Sequence, residues 1–242
     1  MDKFVFLFTL FICCTTVEDP INNPNVTEQT VLDVDDNEYG LTTIGSQVWF
    51  TSNLRTTKYS DGSPIIELVS NEEWDDADDN WTPARCMVNN DYSLKNTHGF
   101  FYNFWAVSPT YNGGKNICPD GYRIPSLDDW EELQLFLDPN GNLLNNEASG
   151  PLKLTGTAYW RDPNAGATNT TGFSALPSGD RSGSSGSFDD FDRDANFWTA
   201  TSEEPESGGG RSYWANISFG NTELFIGAPK TKAMGYNCRC IR

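Results

Sequence analysis

The stretch CPDGYRIPSLDDWEELQLFL, from Cys118 to Leu137, decides the fold. Asp120-Gly121 supplies a turn, because glycine tolerates positive φ and aspartate bonds its own backbone. Pro125 pushes Ile124 into an extended conformation. Ser126 follows as a helix N-cap, with an oxygen to accept an early helical N–H. Asp128, Asp129, Glu131 and Glu132 favour the positive end of the helix dipole. Trp130, Leu133 and Leu137 fall at i, i+3 and i+7, so one face is apolar. Asp138-Pro139-Asn140-Gly141 stops the helix.

Outward from this helix, the composition sets limits. A chain of 242 residues can bury one good core, so one main domain is expected. Eight Trp, nine Tyr and fifteen Phe indicate a core built from rings rather than from Leu and Val. The net charge of −18 argues against nucleic acid, which needs a basic footprint, and against anionic lipid surfaces. His98 is the single histidine, so a His-rich metal site is impossible. Its place beside an aromatic run suits a cap or a satisfied turn residue better than a catalytic base.

The start, MDKFVFLFTLFICC, has one Lys and then a short apolar run, as a secretion signal does. The run is too short to span a bilayer comfortably. It ends at Cys13-Cys14, which resembles a bacterial lipoprotein signal, with lipid on Cys13 or Cys14. Residues 1–14 are thus read as the signal, 15–31 as a polar tether and 32–242 as the folded domain. Export would permit disulfides. Removal of the signal leaves Cys86, Cys118, Cys238 and Cys240, which allow three pairings. Cys238 and Cys240 share a face if their segment is a strand. Separate bonds from Cys86 and Cys118 to that pair are therefore the preferred reading; zinc fits poorly, because the spacing lacks the usual CxxC knuckles.

Along the chain, LDVDDNEYGLTTIGSQVWF (32–50) reads as a hairpin around an Asp-Asn turn. The acidic stretch 71–81 carries Trp74 and Trp81, either as a sugar-stacking pair among carboxylates or as core anchors on a short helix. HGFFYNFWAVS (98–108) has Phe101, Phe104 and Trp105 at helical spacing and reads as a buried helix. LKLTGTAYW reads as a short strand. Asp190, Asp192, Asp194 and Asn196 alternate like the start of a calcium loop, but the glycine and distal glutamate of an EF-hand are absent, so a solvated acidic loop is the preferred reading and a Ca²⁺ site the alternative. FWTAT, SYWANISF, ELFIGA and GYNCRCIR read as short strands between turns.

Taken in order, VWFTSNLRTTKYSDGSPI, NTHGFFYNFWAV, CPDGYRIPSLDDWEEL, GATNTTGFSALPSGDR, FWTATS and the terminal RCIR resemble the Fibrobacter succinogenes major paralogous domain. That family is common in surface and secreted proteins of Bacteroidetes and Fibrobacteres, and no activity or catalytic residue carries over from it. The acidic DDFDRDAN loop and Cys238 depart from its pattern. RIPSLDDW is also similar to the RLPTEAEW-type motif of formylglycine-generating-enzyme-like and C-type-lectin-like folds. The resemblance implies an α+β, C-type-lectin-like domain: two helices on a small twisted antiparallel sheet, with long loops and with IGSQVWF beside GYNCRCIR.

Three functions follow as expectations. The first is a non-catalytic, lipid-anchored module of the outer membrane or cell surface that binds glycan or a cell-envelope protein, through the loops after Gly141. The second is a structural or adhesive envelope protein. The third is an enzyme that holds copper on Cys238 and Cys240, as formylglycine-generating relatives do. The triplets EPN and WND of calcium-dependent lectins are absent, and a C-x-C on a terminal strand looks more like disulfide ends than a copper site.

Overall fold

The computed structural model describes residues 29–142, 145–203, 211–227 and 230–242. The stretch read as a signal, with Cys13 and Cys14, and the stretch read as a tether as far as residue 28 lie outside the described residues. Strand β1 (Thr30–Leu32) begins inside the span read as tether, because Val31 packs on the core opposite Tyr39. It pairs with β2 (Glu38–Ile44) around a turn closed by Asp33, whose carboxylate accepts the N–H groups of Asp35 and Asn37 and the Tyr39 hydroxyl. A second tight turn at Gly45-Ser46 leads to β3 (Gln47–Phe50).

The chain then runs through β4 (Ile66–Glu67) into helix α1 (Asn71–Asp79). Ser70 and Glu73 form a reciprocal capping box at its start. Next come β5 (Ala84–Met87), the single turn α2 (Lys95–His98) and β6 (Phe100–Tyr102). Two further single turns follow, α3 (Phe104–Val107) and α4 (Pro109–Asn112). The buried helix expected over 98–108 is therefore a strand followed by one helical turn. Asn103 divides them: its Oδ1 caps α3 through the Ala106 N–H and also takes the Ala84 N–H from β5.

Helix α5 spans Leu127–Leu137, as its sequence predicts. Ser126 and Asp129 form its capping box, and Arg123 pairs with Asp129. Trp130 and Leu133 are buried, and the Trp130 ring meets Trp49 at 4.8 Å and Phe197 at 5.6 Å. The expected strand at LKLTGTAYW is absent. Lys153 makes only an isolated bridge to Ala175 there, and the Lys153 Nζ donates to the carbonyls of Ala165, Ser218 and Asn221.

The short hairpin of β7 (Asp180–Arg181) and β8 (Phe188–Asp189) precedes the longest pairing, between β9 (Asp194–Glu203) and β10 (Arg211–Ser218). β11 (Leu224–Ile226) and β12 (Lys230–Thr231) line the other edge of β10. The domain is a mixed α/β fold in which, among the described residues, the strands form four small, mainly antiparallel sheets, where one sheet was expected. Both ends of the domain meet: Phe50 N–H donates to the Cys240 carbonyl, and Val48 and Arg242 exchange hydrogen bonds.

Buried cations hold the long connections. The Arg181 guanidinium donates to the carbonyls of Leu68, Val69, Ser70 and Gly186 and lies 4.6 Å from the Trp74 ring. Arg239 reaches Asn53 and the carbonyls of Phe50, Phe173 and Ser174. Each such cation satisfies several backbone acceptors that irregular loops would otherwise leave unpaired in a dry interior.

Candidate functional site

Of the two tryptophans in the acidic stretch, only one is a surface ring. Trp74 is buried, with its indole N–H on the Ala233 carbonyl at 3.0 Å, so it is a core anchor and not a ligand aromatic. Its position on the inner face of α1, beside Ala77, puts it against the core. Trp81 follows the end of the same helix and is 50% exposed.

Trp81 is held by its backbone. Its φ is +51°, in the left-handed region that a bulky residue occupies only where the surroundings enforce it. The Trp81 N–H donates to the Asp78 carbonyl, and the Thr82 N–H to that of Ala77. The Thr82 carbonyl in turn accepts from the Asn103 side chain. The indole stacks on the buried Trp105, 5.7 Å between centroids and 18° between planes, and Tyr111 stands edge-on to both. Lys232, buried, sets its ammonium 4.3 Å from the Tyr111 ring and donates to the Tyr111 hydroxyl.

A small recess lies near the end of α1, lined by neighbours of Trp81 in sequence and not by its ring. Asn80 and Thr82, on either side of Trp81, line this recess of ≈ 190 Å³ with Leu68, Glu73, Asp76 and Ala77. Burial, then the charges of Asp79 and Asp75, raise the Asp78 carboxyl above its usual range. A flat, half-exposed indole backed by a second ring can stack an apolar ring face and donate a hydrogen bond from its N–H. The recess after Gly141, where the ligand loops were expected, is lined by Asp138, Asn140, Asn146, Glu147, Thr222 and Glu223, among others. No aromatic ring lines it among the described residues.

The other expected sites come apart. Asp192 pairs with Arg161 at 3.0 Å and Asp190 with Arg193. Asp194 opens β9, and Asn196 is buried within it, bonded to the Gly179 carbonyl and to Asn216. Asp190 and Asp192 belong to the turn before β9, each beside its own arginine, whereas Asp194 and Asn196 lie within the strand. No group of three or more His, Cys, Asp or Glu side chains suited to a metal occurs among the described residues.

Of the two disulfides expected between Cys86, Cys118 and the C-terminal pair, one forms. Cys118 is bonded to Cys240, whereas Cys86 and Cys238 are free and buried. Cys86 faces the small cluster of Trp74, Val88 and Phe101, while Cys238 lies in the large cluster with Phe50 and Trp198. Burial pushes the Cys86 thiol up to about 12 and raises that of Cys238 further. With Cys240 in a disulfide, Cys238 and Cys240 are not a thiol pair for copper. His98 is buried, with Nδ1 2.9 Å from the Thr97 hydroxyl and its ring between Tyr159 and Phe191, and burial lowers it to about 4.

The geometry defines a loop-rich α/β domain that presents a fixed aromatic surface ring, with its ionisable interior committed to the scaffold. Residues 42–242 match the family model of the Fibrobacter succinogenes major domain (Fib_succ_major), and the chain belongs to that family. No curated protein and no solved structure matches the chain.

Proposed function

We propose that the domain is a non-catalytic recognition module, exported and anchored by lipid on Cys13 or Cys14 to the outer membrane or cell surface, and that it binds glycan at Trp81. One pyranose face stacks on the exposed side of the indole. The observation that carries this reading is a half-exposed tryptophan in a left-handed backbone conformation, backed by a buried tryptophan. The left-handed backbone costs about 1–3 kcal/mol, and one side of the residue packs on Trp105 while the rest stays exposed.

The fold that goes with this reading is C-type-lectin-like. The joined ends of the domain, the two longer helices and the long connections support it. Binding without catalysis is supported by the buried His98 and by the division of Cys238 from Cys240. A glycan array probed with and without chelator tests the reading. Retention of one glycan class in both conditions is expected, and its loss in Trp81→Ala. Absence of binding to every glycan would turn the assignment to a cell-envelope protein partner, a reading favoured by the exposed Leu135 and Phe136.

A further inference from the structure

We infer that the outer face of α5 is a docking surface for a protein segment that carries one or two apolar side chains flanked by lysine or arginine. The inner face of this helix buries Trp130 and Leu133. Leu135 and Phe136 point the other way and are 52% and 57% exposed, side by side on an otherwise acidic helix. Together with the β2–β3 turn they border an open recess of ≈ 670 Å³.

The turn is shaped to hold the phenyl ring. Gly45 has φ +61°, and a Cβ there would stand 3.0 Å from the Phe136 ring. Glycine thus lets the ring lie against the turn. Ser46 then donates to the Glu132 carboxylate and ties the turn to the helix. An apolar floor by itself does not name an occupant; the rim does. Asp128 and, one helical turn on, Glu131 and Glu132 all line the recess, and no basic residue lines it among the described residues.

Charge separates the candidate occupants. A second copy of the chain would bring its own carboxylates, within a total of −18, against the same rim. Anionic lipid and nucleic acid meet the same repulsion. A segment with cations around an apolar anchor satisfies both features, the floor through burial and the rim through charge-assisted hydrogen bonds. This surface is on a different element from Trp81, so it stands apart from the glycan reading.

The test uses two labelled peptides of equal positive charge, one of lysine and leucine, the other of lysine and serine, titrated against the full chain at low salt. The lysine–leucine peptide is expected to bind at least about tenfold more tightly than its serine counterpart. Leu135→Ser with Phe136→Ser, and separately Asp128→Asn with Glu131→Gln, should each weaken it by about tenfold, the equivalent of about 1.4 kcal/mol. All four side chains are on the helix surface, so melting temperatures should stay near the parent value; the single Phe136→Ser chain serves if the double one unfolds. Equal binding of the two peptides, or undiminished binding to the serine variants, would overturn the inference and leave only general attraction to an acidic protein. A dimer in sedimentation that Phe136→Ser dissolves would overturn it in favour of a second copy.

Discussion

Cys118 is bonded to Cys240 across 122 residues of sequence, and the Cys240 carbonyl accepts the Phe50 N–H at 3.0 Å. One residue thus ties the arm before α5 and the first hairpin to the last residues of the chain. Closing so long a loop removes much of the freedom of the unfolded chain. Replacing both cysteines by alanine should lower unfolding free energy by about 3–5 kcal/mol in denaturant titrations. An unchanged midpoint would show that backbone pairing alone holds the two ends.

The free thiols supply a second expectation. Cys86 and Cys238 are buried, and burial holds Cys86 at about 12, so neither offers thiolate at neutral pH. Iodoacetamide at pH 8 should leave both unmodified in the native protein and label both in guanidinium, as read by peptide mass spectrometry. Label on Cys86 without denaturant would show that its cluster opens.

Trp130 is on the inner face of α5 with its ring against Trp49, Phe173 and Phe197. Trp130→Ala should cost about 3–5 kcal/mol. A near-neutral melt would mean that the ring does not seat the helix.

How far the sequence disclosed this arrangement depended on whether a signal was local. Ser126, Asp129 and the Trp130–Leu133 spacing announce α5, because cap and amphipathic face are written within about twelve residues. The meeting of Phe50 with Cys240 came only through family resemblance, since nothing near either residue encodes the other. Phe101, Phe104 and Trp105 misled, because three aromatics at helical spacing carry no sign that Asn103 will cap a new turn. Arg181, Arg239, Lys153 and Lys232 were missed for a general reason: a cation reads as surface until the carbonyls that surround it are known. For Arg239 there was a faint signal, a charge between two cysteines on a segment buried on both faces. Trp81 was named with Trp74, but only the structure separates the exposed ring from the anchor.

His98 gives a pH dependence with a defined sign. Its imidazole titrates near 6.5 in the unfolded chain and is lowered to about 4 by burial in the fold. Above about pH 6.5 both states are neutral and the residue adds no pH dependence. As pH falls from about 6.5 to about 4, the unfolded chain takes up the proton first, and stability declines by about 2 kcal/mol from this residue. The difference in unfolding free energy between the parent and His98→Gln should shrink by about that amount between pH 7.5 and 4.5. A constant difference would show that the ring is solvated.

Isothermal titration of the glycan selected on the array into the parent chain and into Trp81→Ala is the decisive measurement of recognition at Trp81. The Trp81→Ala chain should fold with stability within about 1 kcal/mol of the parent, since half the ring is already in water. It should lose affinity by about tenfold or more, from the missing stacking face. Trp81→Phe should keep part of it. Undiminished affinity in a folded Trp81→Ala protein would contradict the account and move the binding site elsewhere on the domain.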